Sequence, residues 1–395
     1  MCLHKMPRLP EDQDTLAGYI MTNFGFWDYS CPRHGSIERY SADDWDRLLD
    51  DMAAAGCTTF VLCPKWLTTG YRSRYSWLDQ DPACSAVASD NAVLHHALRG
   101  MRSRGIRPWL LIVATIFPAR EFQLTGGITY PWPGFFEPGE LMFYDLDCPG
   151  LLDYMTLLVE EMVDLFGAET DGLILELEFS DGEAPHRIPV YDAWAQANDR
   201  PDFATIKQVR FEPRAYPFTH WRDFTTQRRI AVLKQLETVI RARGFAGPLA
   251  SIIEIANEPT VVMGNVNLAT YAAALPDWPA VTYDSIYDRR RNRLASMDLC
   301  IEQPRAAGLE VGYLTRGVMT FPVQRGMAPT TLEEQWRMTF EDVRRHRPET
   351  VWFMGSDARL NGAVCNAAAL PGWGFADGRS ARQRLLQMVR EAGLG

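Results

Sequence analysis

Apolar residues in this chain arrive in short runs rich in β-branched and aromatic side chains. After each run comes a longer stretch in which apolar positions recur every three or four residues. The runs predict strands at 19–27 (YIMTNFGFW), 58–66 (TTFVLCPKW), 107–117 (RPWLLIVATIF), 172–179 (GLILELEF), 249–256 (LASIIEIA), 280–285 (AVTYDS), 311–319 (VGYLTRGVM) and 350–355 (TVWFMG). Helix signals fill the gaps. SADDWDRLLDDMAAAG opens on Ser41, carries early acids and closes on Gly56, and a second helix is predicted from Asn91. Further helical patterns follow in LLDYMTLLVEEMVDLFG, WRDFTTQRRIAVLKQLETVIRARG, RNRLASMDLCIEQPRAAG, TLEEQWRMTFEDVRRH and RSARQRLLQMVREAG.

Strand and helix alternate eight times, which predicts a parallel sheet covered by helices, and eight is the number that closes a (β/α)8 TIM barrel. An open doubly wound sheet is the runner-up, but the glycine-rich phosphate turn expected after its first strand is missing. Barrels of this kind run to 400 residues or so as one domain, so residues 1–395 are read as a single catalytic barrel. Two connections are long, 118–148 after strand three and 180–220 after strand four. Both follow strand C-termini, the face on which such barrels carry their sites, and are expected to wall the site.

The segment 171–181, DGLILELEFSD, carries the most chemistry. Alternation along the strand puts Leu173, Leu175, Leu177 and Phe179 toward the helices and Ile174, Glu176 and Glu178 toward the barrel axis. Two inward carboxylates are costly unless they are paired or used. Other acids expected near strand ends are Glu258, Asp284 and Asp357, and aromatic or amide groups expected there are Trp27, Trp66, Trp132, Tyr283, Asn23 and Asn257.

DGxxxExE resembles the fourth-strand motif DGxDxDxE of the chitinase-like family 18 glycoside hydrolases. That resemblance implies Glu178 as the catalytic acid and Glu176 as the acid assisting it. Ile174 and Glu176 stand where that motif has aspartates. TYDS at 282–285 is similar to the sixth-strand Met-x-Tyr-Asp segment of the same family, implying that Tyr283 and Asp284 contact substrate. The layout of a long insertion and a helix after strand four resembles the clan A retaining glycosidases of the family 42 type. Asn257-Glu258-Pro259 is similar to their Asn-Glu pair, although here it follows strand five. What the two resemblances share is a barrel glycoside hydrolase.

Glycosidic cleavage needs one carboxyl to protonate the leaving oxygen and a second to stabilise or trap the cationic sugar centre. Glu178 is the candidate general acid/base, and its partner is sought among Glu258, Glu176 and Asp284. Trp27, Trp66, Trp132 and Tyr283 suit the apolar face of a pyranose. Asn23, Asn257 and Asp357 suit its hydroxyls.

Composition narrows the alternatives. A formal net charge of −10 argues against nucleic acid as partner. The eight cysteines are scattered without a CxxC pair, and none of the seven histidines falls in a predicted strand. No metal or other cofactor is therefore expected. With neither an apolar leader nor a run of eighteen apolar residues, the expected location is the cytoplasm, with a carbohydrate as the only expected partner. Two other functions stay open. One is a catalytically silent glycan-binding barrel. The other is an aldolase or lyase forming a Schiff base at Lys65, the only lysine near a strand end.

Overall fold

The computed structural model describes residues 21, 23–30, 37–66, 68–113, 116–118, 141–143, 146–147, 150–177, 187–207, 216–253, 266–283, 298–318, 331–356 and 375–394. Its strands are β1 (Phe24–Tyr29), β2 (Thr59–Lys65), β3 (Arg107–Val113), β4 (Ile116–Pro118), β5 (Leu141–Phe143), β6 (Gly172–Glu176), β7 (Leu249–Ile252), β8 (Ala280–Tyr283), β9 (Val311–Arg316) and β10 (Thr350–Met354). Eight of them close a barrel in the order β1-β10-β9-β8-β7-β6-β3-β2, every pair parallel. The helices are α1 (Ala42–Ala54), α2 (Ser85–Ala88), α3 (Ala92–Ser103), α4 (Leu151–Phe166), α5 (Arg187–Ala197), α6 (Phe203–Lys207), α7 (Tyr216–Ala242), α8 (Leu268–Ala274), α9 (Gln303–Ala306), α10 (Leu332–His346) and α11 (Gly378–Glu391). The protein is a (β/α)8 TIM barrel, as the alternation predicts.

Local chemistry sets the helix starts. Ser41 caps α1 through a capping box with Asp44, and Thr331 does the same for α10 with Glu334. Such caps satisfy amides that the first helical turn leaves without partners. Asn91, in left-handed backbone at the head of α3, accepts from the Arg72 amide at 2.6 Å and donates to the Arg72 carbonyl at 2.9 Å. It thereby ties the β2–α2 loop to α3.

Two apolar layers surround the sheet. Outward residues such as Phe60, Leu110, Leu173 and Leu175 join the helices in one large cluster. Inward residues, among them Trp27, Val61, Trp109, Ile174, Ala250, Val281, Leu314 and Trp352, fill the barrel itself. Three tryptophans in so narrow a space need room on the facing strands. At Gly312 a Cβ would lie 2.3 Å from the Trp352 ring, and at Gly172 one would lie 2.5 Å from Trp109. Each indole contributes about 4–6 kcal/mol of gross transfer free energy when fully buried.

Several element bounds differ from the sequence reading. The apolar run 107–117 is two elements: β3 stops at Val113, and Ile116–Pro118 pairs antiparallel with Leu141–Phe143. β6 ends at Glu176, with Leu177 already outside it, because a strand lasts only as long as its neighbours pair with it, whereas the last two residues of the run 280–285 lie outside the described residues. The connection 180–220 is partly helical, holding α5, α6 and the first residues of α7. Tyr191, Ala195, Phe203 and Ile206 from it form a separate small core with Trp221 and Phe224 of α7.

Candidate active site at the barrel mouth

The exit of β6 has the orientation that alternation predicts. Leu173, Leu175 and Leu177 lie in the outer cluster and Ile174 in the inner one. Glu176 shares the inward parity of Ile174, pairs with Val113 of β3 and is 5% exposed. It is a carboxyl group set into the wall of the barrel near its C-terminal rim. Tyr283 closes β8 in register with Leu314 and packs half-buried against the inner cluster. Glu178, Glu258, Asp284, Asn257, Trp132 and Asp357 lie outside the described residues.

Trp66 also faces inward, for a reason that strict alternation does not supply. The β2–β3 register shifts between Leu62 and Lys65, so that Lys65 pairs with Ile112, an outer-layer residue. This bulge re-aims the side chains that follow it. Trp66 stacks on Tyr29 of β1, with ring centroids 4.9 Å apart, and packs on the inner cluster. Lys65 is fully buried, and its ammonium donates to the Trp66 carbonyl at 2.8 Å. The ammonium thus serves the backbone at the exit of β2, and the geometry gives no support to a Schiff-base lysine on the barrel axis.

Two other expected site residues are corrected. Asn23 precedes β1 and so stands at the opposite, N-terminal end of the barrel. There it accepts from Arg107 at 2.7 Å and donates to the Glu349 carbonyl at 3.3 Å, tying β1 to the starts of β3 and β10. Trp27 is 1% exposed, with its ring edge-on to Trp352 at 6.0 Å. It is packing inside the barrel, one inward position below Tyr29.

Residues that the sequence reading passed over support the rim from behind. Asp28, fully buried at the end of β1, accepts from the Tyr29 amide at 2.8 Å, the Ser356 amide at 2.8 Å and the Ser356 hydroxyl. Arg382 of α11 donates to the Ser356 carbonyl at 3.0 Å and to Asp51 of α1 at 3.0 Å. Together they fix the exit of β10, one residue before Asp357. Nearby, burial pushes the Glu38 carboxyl up to about 7, with the negative charges of Asp28 and Asp81 adding to the effect against its own backbone amide and Arg39. The signal for Asp28 was a lone acid in an apolar strand. For Glu38 the sequence offers none, because its burial and the approach of Asp28 and Asp81 come only with the fold.

The two long connections meet at Asp147. Its carboxylate lies 2.6 Å from Arg228 of α7 and 3.7 Å from Arg187 of α5. The Arg187 guanidinium also rests over the rings of Trp221 and Phe224. Burial pushes the Tyr191 phenol of this small core up to about 12. Burial, with Arg200 nearby, lowers the basicity of His220, so that the neutral imidazole is favoured. Among the described residues no three His, Cys, Asp or Glu side chains are grouped to hold a metal ion. Within the same residues no helix is long and apolar enough to cross a membrane.

No protein-family model and no curated protein sequence matches the chain. Solved structures do. The β-galactosidase of the psychrophilic Marinomonas ef1 is similar over 94% of this chain and 61% of its own length, at TM-score 0.56 and 11% identity. The PgaB (BpsB) glycoside hydrolase domain of Bordetella bronchiseptica is similar over 85% of this chain and 94% of its own, at TM-score 0.58 and 13% identity. The polyextremophilic β-galactosidase of the Antarctic haloarchaeon Halorubrum lacusprofundi matches 92% of this chain and 57% of its own, at TM-score 0.57 and 12% identity. These likenesses carry the fold. The chain spans about three fifths of the length of the two β-galactosidases.

Proposed function

We propose that the protein is a glycoside hydrolase that cleaves an oligosaccharide or glycoside by carboxylate general acid/base catalysis. The observation that carries the reading is Glu176, a buried inward carboxyl at the exit of β6. A carboxyl is not kept in such a position for packing alone, because its burial is unfavourable unless paired or used. Glu178, two residues further along the chain, is the candidate to donate a proton to the leaving oxygen. Glu176, Glu258 or Asp284 supplies the second carboxylate, and the two must flank the scissile bond. Trp66 and Tyr283 offer ring faces or edges to the sugar, with Trp132, Asn257 and Asp357 completing the contacts. The similar solved proteins named as glycoside hydrolases, two of them β-galactosidases, support the same class of reaction.

The test is a panel of aryl α- and β-glycosides headed by p-nitrophenyl β-galactoside, run on wild type, Glu178→Gln and Glu176→Gln. Glu178→Gln is expected to lower kcat on the best substrate by roughly 10²–10⁴-fold, the usual contribution of a positioned acid or base. Full turnover in both variants would remove the β6 carboxylates from the mechanism. Sugar binding by the wild type without any turnover would overturn the enzymatic reading.

A further inference from the structure

The ladder between β6 and β7 runs through Leu173–Leu249, Ile174–Ala250 and Leu175–Ser251, and no later pair joins these strands among the described residues. Past that point the strand exits still carry carbonyl oxygens in a buried setting, and such groups require donors. Arg229 of α7 provides them. Its Nη2 donates to the Leu177 carbonyl at 3.2 Å and its Nη1 to the Ile252 carbonyl at 3.4 Å.

Arg229 is 1% exposed, a full guanidinium beneath the helix layer. Its place in the helix explains how it gets there. Thr226, Arg229, Leu233, Leu236 and Ile240 follow a three-four spacing, and all are buried. An arginine stands at a core position of a stripe that is apolar from Leu233 onward. Burying a cation is unfavourable unless its donors are matched, and the planar fork of arginine suits two acceptors side by side.

The two carbonyls are not arbitrary. Leu177 directly follows Glu176 and precedes Glu178. Ile252 closes β7, the strand whose exit leads on to Asn257 and Glu258. We propose that Arg229 is a positioning residue: it takes over where the ladder stops and sets the spacing between the β6 and β7 exits, and hence the place of Glu176 beside β7. What is positioned rests on the glycosidase reading above; the clamp itself does not.

The experiment compares wild type, Arg229→Met and Arg229→Lys. On the aryl glycoside that wild type turns over best, Arg229→Met is expected to lower kcat roughly 10–100-fold with KM held within about threefold, the signature of misplaced reacting groups. Arg229→Lys keeps the charge but lacks the fork, so kcat stays depressed in it as well. Unchanged kcat in either folded variant, or a loss confined to KM, overturns the positioning role.

A second arm needs no substrate. Hydrogen exchange in peptides covering 173–177 and 249–253 is expected to quicken at least about tenfold in Arg229→Lys, with 59–65 unchanged, because the loss is local. If wild type turns over no glycoside, the glycosidase reading fails, yet this arm still decides the clamp. Local quickening supports it, and unaltered exchange overturns it.

Discussion

Glu38 carries a carboxyl whose chemistry departs far from what its type suggests, and the departure fixes a pH dependence. The residue is 8% exposed, one carboxyl oxygen has no hydrogen-bond partner among the described residues, and its pKa is raised from 4.5 to about 7. Below pH 4.5 the group is neutral in folded and unfolded chains alike and contributes nothing to the difference between them. Between 4.5 and 7 the unfolded chain ionises first, so stability falls as pH rises. Above 7 the folded form ionises too, and the loss levels off at about 3 kcal/mol as an upper bound. Glu38→Gln removes the titration. It should match wild type near pH 4.5 and exceed it by about 1–3 kcal/mol at pH 8, read from urea midpoints at the two pH values. Parallel pH curves for the two proteins would show that Glu38 does not titrate in this range. The same residue marks a limit of sequence reading. Glu176 could be placed from its own strand, since alternation is a local rule. Glu38 owes its state first to burial, with Asp28 and Asp81 adding to it, and all of these reach it only through the fold. Trp66 and Lys65 lie between these cases: both were noticed, but the bulge that decides which of them faces the barrel leaves no mark in the residue types.

Elements repeat the lesson with packing in place of charge. The run 107–117 reads as one strand because, after Arg107, only Thr115 breaks its apolar sequence, yet it forms two elements with different partners. Its first part is a barrel stave; its last residues belong to the connection that follows. Element existence is local information, whereas element length is set by neighbours. Glycines in the staves carry the same dependence. Gly312 of β9 has no turn to make; it is glycine because Trp352 of β10 lies across it, 2.3 Å from where a Cβ would be. Neither strand alone reveals this. Gly312→Ala should destabilise the barrel by about 1–3 kcal/mol or more, the range for overpacking a filled core. Adding Trp352→Leu should return part of that loss. A thermal or chemical double-mutant cycle measures the coupling. If the two changes simply add, the indole is not what excludes the Cβ.

At the scale of the whole molecule, eight repeats of one unit were enough to give the barrel, because closure follows from the number of staves and needs no special residue. The connections were legible only as long and as placed on the functional face. Their internal order was not, since the core of the α5–α6 segment depends on Trp221 and Phe224 of α7, beyond the insertion itself. That core is a cluster separate from both barrel layers, so it should be able to loosen by itself. Asp147 is the tie that opposes this, with its carboxylate between Arg187 and Arg228. Arg187 is wholly buried, so withdrawing the carboxylate leaves a buried cation without that partner, a change that costs about 3–5 kcal/mol when a fully buried pair is broken. In Asp147→Asn the cost should fall on the insertion and not on the staves. Hydrogen exchange in peptides covering 187–207 is expected to quicken by about tenfold or more while peptides covering 59–65 and 350–354 keep their wild-type rates. Quickening across every stave would mean that the insertion and the barrel unfold as one unit, and Asp147 would then be part of the global fold and not a local tie. If the local pattern holds and the glycosidase reading is right, the same variant should raise KM for long oligosaccharides more than for aryl glycosides, because only the longer substrate reaches the wall that Asp147 holds in place.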